Sequence, residues 1–176
     1  MLKSIITSET RIKLLLKFFL NPKTSGYLRQ LAKEFNESTN SIRVELNKLS
    51  EARILCARRE GRQKLFRANT DHPLFEDIRS IVLKSTGINL VVSNIIDNIG
   101  NLNMAFVRGD YAVGIDSGLI DLVLVGESLN KPEIERVRLK TEALIKRKIS
   151  ILVLSDTEYK SLENNFNHLP KLMLFQ

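Results

Sequence analysis

Apolar residues recur at helical spacing three times before position 50. Ile12, Leu15, Leu16 and Phe19 fall at i, i+3, i+4 and i+7, with Ser8 placed to cap a helix and Asn21-Pro22 to end it. After Ser25 the same spacing returns in Leu28, Leu31, Ala32 and Phe35, and Asn36-Glu37 supplies a short break. A third helix is expected from Ser38 or Thr39, where Ile42, Leu46 and Leu49 cluster within about 60° of one another at 100° per residue. The pattern then changes. Ile54-Leu55-Cys56-Ala57 reads as a strand, Glu60-Gly61 as a hairpin tip and Lys64-Leu65-Phe66-Arg67 as the return strand.

Pro73 suits the first turn of a further helix, on which Leu74, Ile78, Ile81 and Val82 share a face with Phe75 beside them. This stripe is a candidate homodimer contact. From Gly87 helices and strands alternate. Val92, Ile95, Ile96 and Ile99 mark a helix, Met104 to Val107 a short strand and Leu119 to Val125 a buried strand. Pro132 opens an amphipathic helix through Ile145, and Ile149 to Leu154 give another buried strand. Ser155 and Glu158 form a capping box for a last helix. The expected class is α+β, with a sheet of three or more strands in the second half. The expected boundaries are 1–72, a joining helix over 73–86, and 87–176.

Composition narrows the function. The 176 residues are 43% hydrophobic and 27% charged, with 8 Gly and 4 Pro, which suits a globular chain of one domain or two small ones. One Cys and two His exclude a disulfide framework and a four-coordinate zinc site within one chain. Cys56 reads as a small buried hydrophobe in a reducing compartment. No apolar run reaches membrane-span length and Met1-Leu2-Lys3 does not lead into a signal peptide, so the expected location is the cytoplasm, without membrane contact. The net charge of +7 is unevenly placed. Residues 1–85 hold 17 Lys and Arg against 9 Asp and Glu, the remainder 10 against 11. Concentration of the excess in one half makes that half the expected binder of a polyanion.

The third helix carries matching chemistry. Thr39, Asn40, Arg43, Val44 and Asn47 lie away from its apolar stripe. Arg can grip guanine O6 and N7, Asn can grip adenine N6 and N7, and Val can touch a thymine methyl. Two helices joined by a tight turn, the second with such a face, have the helix-turn-helix layout. The hairpin after it would be a wing. From Arg53 to Arg67 it holds six cations, including Arg58, Arg59, Arg62 and Lys64, and one acid, a charge suited to phosphates or a narrow minor groove. Double-stranded DNA is the expected partner.

In the second half, Arg108-Gly109-Asp110-Tyr111-Ala112-Val113-Gly114 followed by Leu119-Ile120-Asp121 resembles the signature of minimal nucleotidyltransferases, which carry a Gly-Ser step, an x-Ala-x-Gly turn and Asp-x-Asp on the next strand. The first half is similar to an arsenical-repressor-like winged helix, and His72 to Lys84 resembles the segment that joins the two modules in prokaryotic regulators that fuse them. The resemblance implies a DNA-binding transcriptional regulator with a nucleotidyltransferase-like domain. It also shows what is missing. Transfer needs paired carboxylates to hold magnesium, yet Leu119 stands at the first position and Ile149 to Leu154 contain no third acid. Asp110 and Asp116 in the preceding loop are conceivable substitutes. No catalytic residue, metal or cofactor is therefore expected. Gly109, Asp110, Gly114 and Asp121 remain candidates for binding a nucleotide through backbone N–H groups. Two alternatives stay open: an active DNA-tethered nucleotidyltransferase, and an antitoxin-like module that docks another protein.

Overall fold

A computed structural model describes residues 2–96, 99 and 101–176, and the chain divides into two units, Met1–Ser85 and Thr86–Gln176, each with its own sheet. The first unit runs α1 (Glu9–Phe19), β1 (Ser25–Tyr27), α2 (Leu28–Phe35), α3 (Thr39–Glu51), β2 (Leu55–Glu60), β3 (Gln63–Ala68) and α4 (Phe75–Thr86). Ser8 Oγ accepts from Arg11 N at 3.2 Å, which starts α1. Asn36 ends α2 in the left-handed region, φ 52°, and Ser38 Oγ accepts from Ser41 N at 3.0 Å to start α3. The turn between the helices is therefore short because a C-cap and an N-cap almost abut. Gly61, φ 60°, opens the two-residue loop of the hairpin, and Glu60 stays in β2 rather than at the tip.

Three local expectations change. The stretch after Ser25 is a strand before it is a helix: β1 pairs antiparallel with β3, giving the sheet order β1-β3-β2. Gly26 permits this, since a Cβ there would stand 2.9 Å from the Leu31 side chain. The buried face of α1 is broader than the spacing implied, because Leu14 and Phe18 are fully buried whereas Leu16 is only half-buried. On α3 the apolar stripe includes a charge. Glu45 is buried beside Leu46, accepting from Ser8 Oγ at 3.1 Å and Arg11 Nε at 2.7 Å. Burial raises this carboxyl, but the Arg11 and Ser8 hydrogen bonds outweigh it and hold its pKa below the ordinary value.

Pro73 and Leu74 precede α4, whose residues through Ser85 lie within the first unit. Its expected single stripe is split. Phe75 packs on Phe19 at 5.5 Å and Val82 is buried in the same chain, whereas Leu74 and Ile81 are exposed. Cys56 is half-buried, not buried, because it sits on the hairpin face that carries Arg67, whose Nε lies 3.3 Å from its sulfur.

The second unit contains α5 (Ile88–Asn94), β4 (Leu102–Arg108), β5 (Leu119–Gly126), α6 (Lys131–Ile145), β6 (Lys148–Leu154), α7 (Asp156–Asn167) and β7 (Leu172–Phe175). The helix expected over Val92 to Ile99 begins earlier, at Ile88, and ends at Asn94; residues 97 and 98 lie outside those described. The sheet order is β6-β5-β4-β7, with β5 and β6 parallel and the other pairs antiparallel. β6 is an edge strand, so Ile151, Leu152 and Val153 are half-buried rather than buried. β7 was not expected. Its pairing with β4 makes β4 central. The capping box on α7 forms as the spacing implied, with both hydrogen bonds present. Phe106, Val123, Val125, Leu154 and Phe166 form the core against α7. Among the described residues, no helix is long and apolar enough to cross a membrane.

Candidate nucleic-acid interface

The α3 side chains are positioned by what lies beneath them. Ile42, Leu46 and Leu49 are buried, so Thr39, Asn40, Arg43, Val44 and Asn47 face solvent. Beside them the hairpin sheet brings Arg62, Gln63 and Lys64 to a concavity of about 640 Å³. Leu28, Leu46 and Phe66 supply its apolar lining, and Arg29, Arg43, Asn47, Arg62 and Lys64 its polar one. Among the described residues, no carboxylate lines it. None of Arg29, Arg43, Arg62 and Lys64 has an ion pair among the described residues. By contrast, Arg11, Lys13 and Lys17 on α1 are paired with Glu45, Glu37 and Glu34 at 2.7 Å each. The first unit thus neutralises these α1 cations and leaves those of the groove unmatched.

Two further features concentrate positive potential here. Arg59 stands directly across from Lys64 in the hairpin, a like-charge pairing that costs stability unless an anion lies over it. The first turn of α3 contains no acidic residue, so only the neutral Ser38 cap meets the positive end of its dipole. Arg58 and Arg59 are exposed on the hairpin but do not line the concavity; Arg58 is 3.6 Å from Glu60, and Arg59 Nε donates to the Gly61 carbonyl at 3.3 Å. Arg29 was missed in the sequence because it falls in the helix after the unforeseen β1, outside both segments that carried basic signals. Tyr27 was missed for the same reason. Its hydroxyl donates to Glu60 at 2.6 Å, tying β1 to the hairpin, and that hydrogen bond pushes the phenol pKa up.

The second candidate site is differently built. Gly109, φ 69°, and Gly114, φ 83°, flank a tight 3₁₀ turn over Gly109–Val113, and Asp110 projects into solvent. Asp121 faces Arg108 across β4 and β5, accepting from its Nε at 2.7 Å, while Asp121 Oδ1 is buried with no hydrogen-bond partner among the described residues. At the neighbouring positions Leu119 is half exposed, and β6 places Ser150 beside Asp121 and Lys148 beside Leu119. The magnesium implied by the resemblance does not fit these residues. One carboxylate, already bound by a guanidinium, with a serine and a lysine on the adjacent strand, is not a divalent-cation donor set. Asp116 supplies no second ligand: Arg147 binds both its oxygens, at 2.9 and 2.5 Å, and the Tyr111 hydroxyl donates to it.

That Asp116 cluster has a pH signature. Burial raises the carboxyl, but the Arg147 and Tyr111 hydrogen bonds outweigh it, so the folded pKa lies below the ordinary value. Burial, reinforced by Asp116, pushes the Tyr111 phenol well above its usual range. Since the acid is depressed on folding, its contribution is fully present above roughly pH 5 and is lost as pH falls through the folded pKa. Asp116→Asn is expected to destabilise the chain by roughly 1–3 kcal/mol at pH 7. In denaturant titrations the gap from wild type should narrow below about pH 4. A gap that stays constant down to pH 2.5, within about 0.3 kcal/mol, would contradict the assignment.

No protein-family model matches the chain and no curated protein matches it. Among solved structures it is similar to AF1382 from Archaeoglobus fulgidus, 17% identical over 53% of this chain and 99% of that one, with a TM-score of 0.39. It is also similar to a "putative nucleotidyltransferase" from Sulfolobus solfataricus, 17% identical over 52% of this chain and 83% of that one, with a TM-score of 0.31. Neither likeness is close enough to carry a fold or a function across.

Proposed function

We propose that the chain is a sequence-specific DNA-binding transcriptional regulator, with α2 and α3 as a helix-turn-helix, α3 as its reading helix and the β2–β3 hairpin as a wing. The observation that carries this reading is the groove in which Arg29, Arg43, Arg62 and Lys64 converge with Asn47 and, among the described residues, with no acid. Base edges need fork-shaped and amide donors on an exposed helix face, and phosphates need unpaired cations beside it. Both occur on one surface. Selection of duplexes from a random pool with the full chain should enrich one motif; a pool that stays random after several rounds would contradict base reading.

The C-terminal unit, in this reading, is a nucleotidyltransferase-like layer without transfer chemistry, serving regulation or assembly. Its support is the Arg108–Asp121 pair in place of a carboxylate cluster. Labelled nucleoside triphosphates with magnesium or manganese should give no product. Turnover that disappears in Asp121→Ala would overturn this and favour the enzyme.

A further inference from the structure

The β6 edge of the second sheet is closed at its start and open further along. β6 pairs with β5 alone, and Lys148 N donates to the Gly118 carbonyl just before β5 at 2.9 Å. The backbone groups of Lys148, Ser150, Leu152 and Leu154 therefore face β5, and those of Ile149, Ile151 and Val153 face outward. α6 closes the first of these: Ile149 N donates to Glu142 Oε1 at 2.7 Å, and Arg138 Nη1 donates to the Ile149 carbonyl at 3.4 Å. The N–H and C=O groups of Ile151 and Val153 have no hydrogen bond among the described residues, and Ile151, Leu152 and Val153 are half-buried at this edge. Outward amides and carbonyls among apolar side chains are a template for another strand. The two ends of β6 also differ in charge. Around its start Arg138, Lys146, Arg147 and Lys148 stand against Asp116, Glu135 and Glu142, one cation in excess. At its end Glu127 accepts from Asp156 N at 3.1 Å and Glu158 lies in the same turn of α7, with Lys131 acting on it, two acids in excess. Further along α7, Lys160 and Glu163 are one of each sign.

We propose that β6 pairs antiparallel with β6 of a second copy, across a two-fold axis at Leu152, joining the two four-stranded sheets into one. Two observations select a second copy as the occupant. The open positions are Ile151 and Val153 with one residue between them. Antiparallel pairing about that residue sets Ile151 of each copy opposite Val153 of the other, and each such pair exchanges both of its N–H···O bonds. Ile149 takes no part, so its clasp by Glu142 and Arg138 stays intact and fixes where the ladder stops. The open stretch is thus complementary to itself, as an isologous contact requires. Antiparallel alignment also lays the basic start of each strand beside the acidic end of the other, whereas parallel alignment would bring like ends together. The contact lies wholly in the second unit, separate from the α4 stripe and independent of what the first unit binds.

Disulfide trapping tests this register on the full chain, without nucleic acid, at micromolar concentration in a Cys56→Ser background, with far-UV circular dichroism confirming the fold. Leu152→Cys should give a covalent dimer under mild oxidation, because residues facing each other between hydrogen-bonded pairs have Cα atoms about 4.5 Å apart. Ile151→Cys and Val153→Cys should each stay uncrosslinked alone, since each cysteine is then two residues out of step with its own copy, beyond the roughly 7 Å that a disulfide spans. Mixed, the two should crosslink, because each faces the other. Adding Val153→Pro to Leu152→Cys removes an outward N–H that β5 does not use, and should cut the crosslinking several-fold. A folded Leu152→Cys chain that stays uncrosslinked overturns the proposal. So does a mixture that yields no more covalent dimer than Ile151→Cys or Val153→Cys alone, and this arm decides the matter even if Leu152→Cys fails to fold.

Discussion

Arg43→Ala is expected to weaken binding to a selected duplex by roughly 1–3 kcal/mol, about 5- to 150-fold, with the loss concentrated at one or two base pairs. Arg43 leaves the exposed face of α3, and among the described residues no carboxylate pairs with its guanidinium. The helix beneath it is fixed by fully buried Ile42 and Leu46 and by Glu45, which is held to α1 through Arg11. A guanidinium presented from a rigid helix can satisfy the two acceptors of guanine together, which is why its removal is felt at particular positions. Arg62→Ala should behave differently. It lies in the hairpin loop, where a cation meets backbone phosphate, so selected and scrambled duplexes should weaken alike, with a smaller salt dependence. Fluorescence anisotropy with both duplexes separates the two. Equal losses on both duplexes for Arg43→Ala would remove α3 from base reading.

Phe106→Ala is expected to cost roughly 3–5 kcal/mol of stability in the second unit. The ring is fully buried on the central strand β4, 5.7 Å from Phe166 and 6.1 Å from Tyr159, both in edge-on arrangements. Tyr159 and Phe166 stack on each other at 5.8 Å, so α7 is joined to the sheet through this aromatic group. Removing the ring leaves a cavity that β4 cannot close, since it is paired on both edges, with β5 and β7. Denaturant unfolding followed by near-UV circular dichroism reads the loss through the tyrosines. A midpoint shift worth less than about 1 kcal/mol would contradict this view of the core.

What could be read from the sequence was what repeats locally. The first three helices of the first unit, the hairpin and the caps at Ser8, Ser38 and Ser155 follow from spacing and from residue types that satisfy helix ends. α3 therefore delivered its exposed Asn40, Arg43 and Asn47 correctly, because its buried stripe fixes its other face. β1 and β7, of three and four residues, are too short to show an alternation, and they exist because β3 and β4 have edges to pair. Arg29 entered the groove only once β1 had set where α2 begins. Ion pairs distant in sequence leave no periodic trace. Arg147 meets Asp116 from 31 residues away, and Glu45 meets Arg11 from 34. Phe75 and Val82 illustrate a further limit, since an apolar stripe does not reveal whether its own chain or another covers it.

In the proposed reading, the groove between α3 and the hairpin binds the DNA backbone through cations that no acid among the described residues neutralises. Its most direct test is the slope of log K against log salt for the full chain on duplex DNA, compared with a chain in which Arg29, Arg43, Arg62 and Lys64 are all alanine. Each neutralised phosphate contributes about −0.9 to the slope, so with Arg43 on a base and the other three cations on phosphates the wild-type slope should be the steeper by roughly 2.7 per chain. Identical slopes for the two chains, or wild-type binding insensitive to salt, would contradict the account.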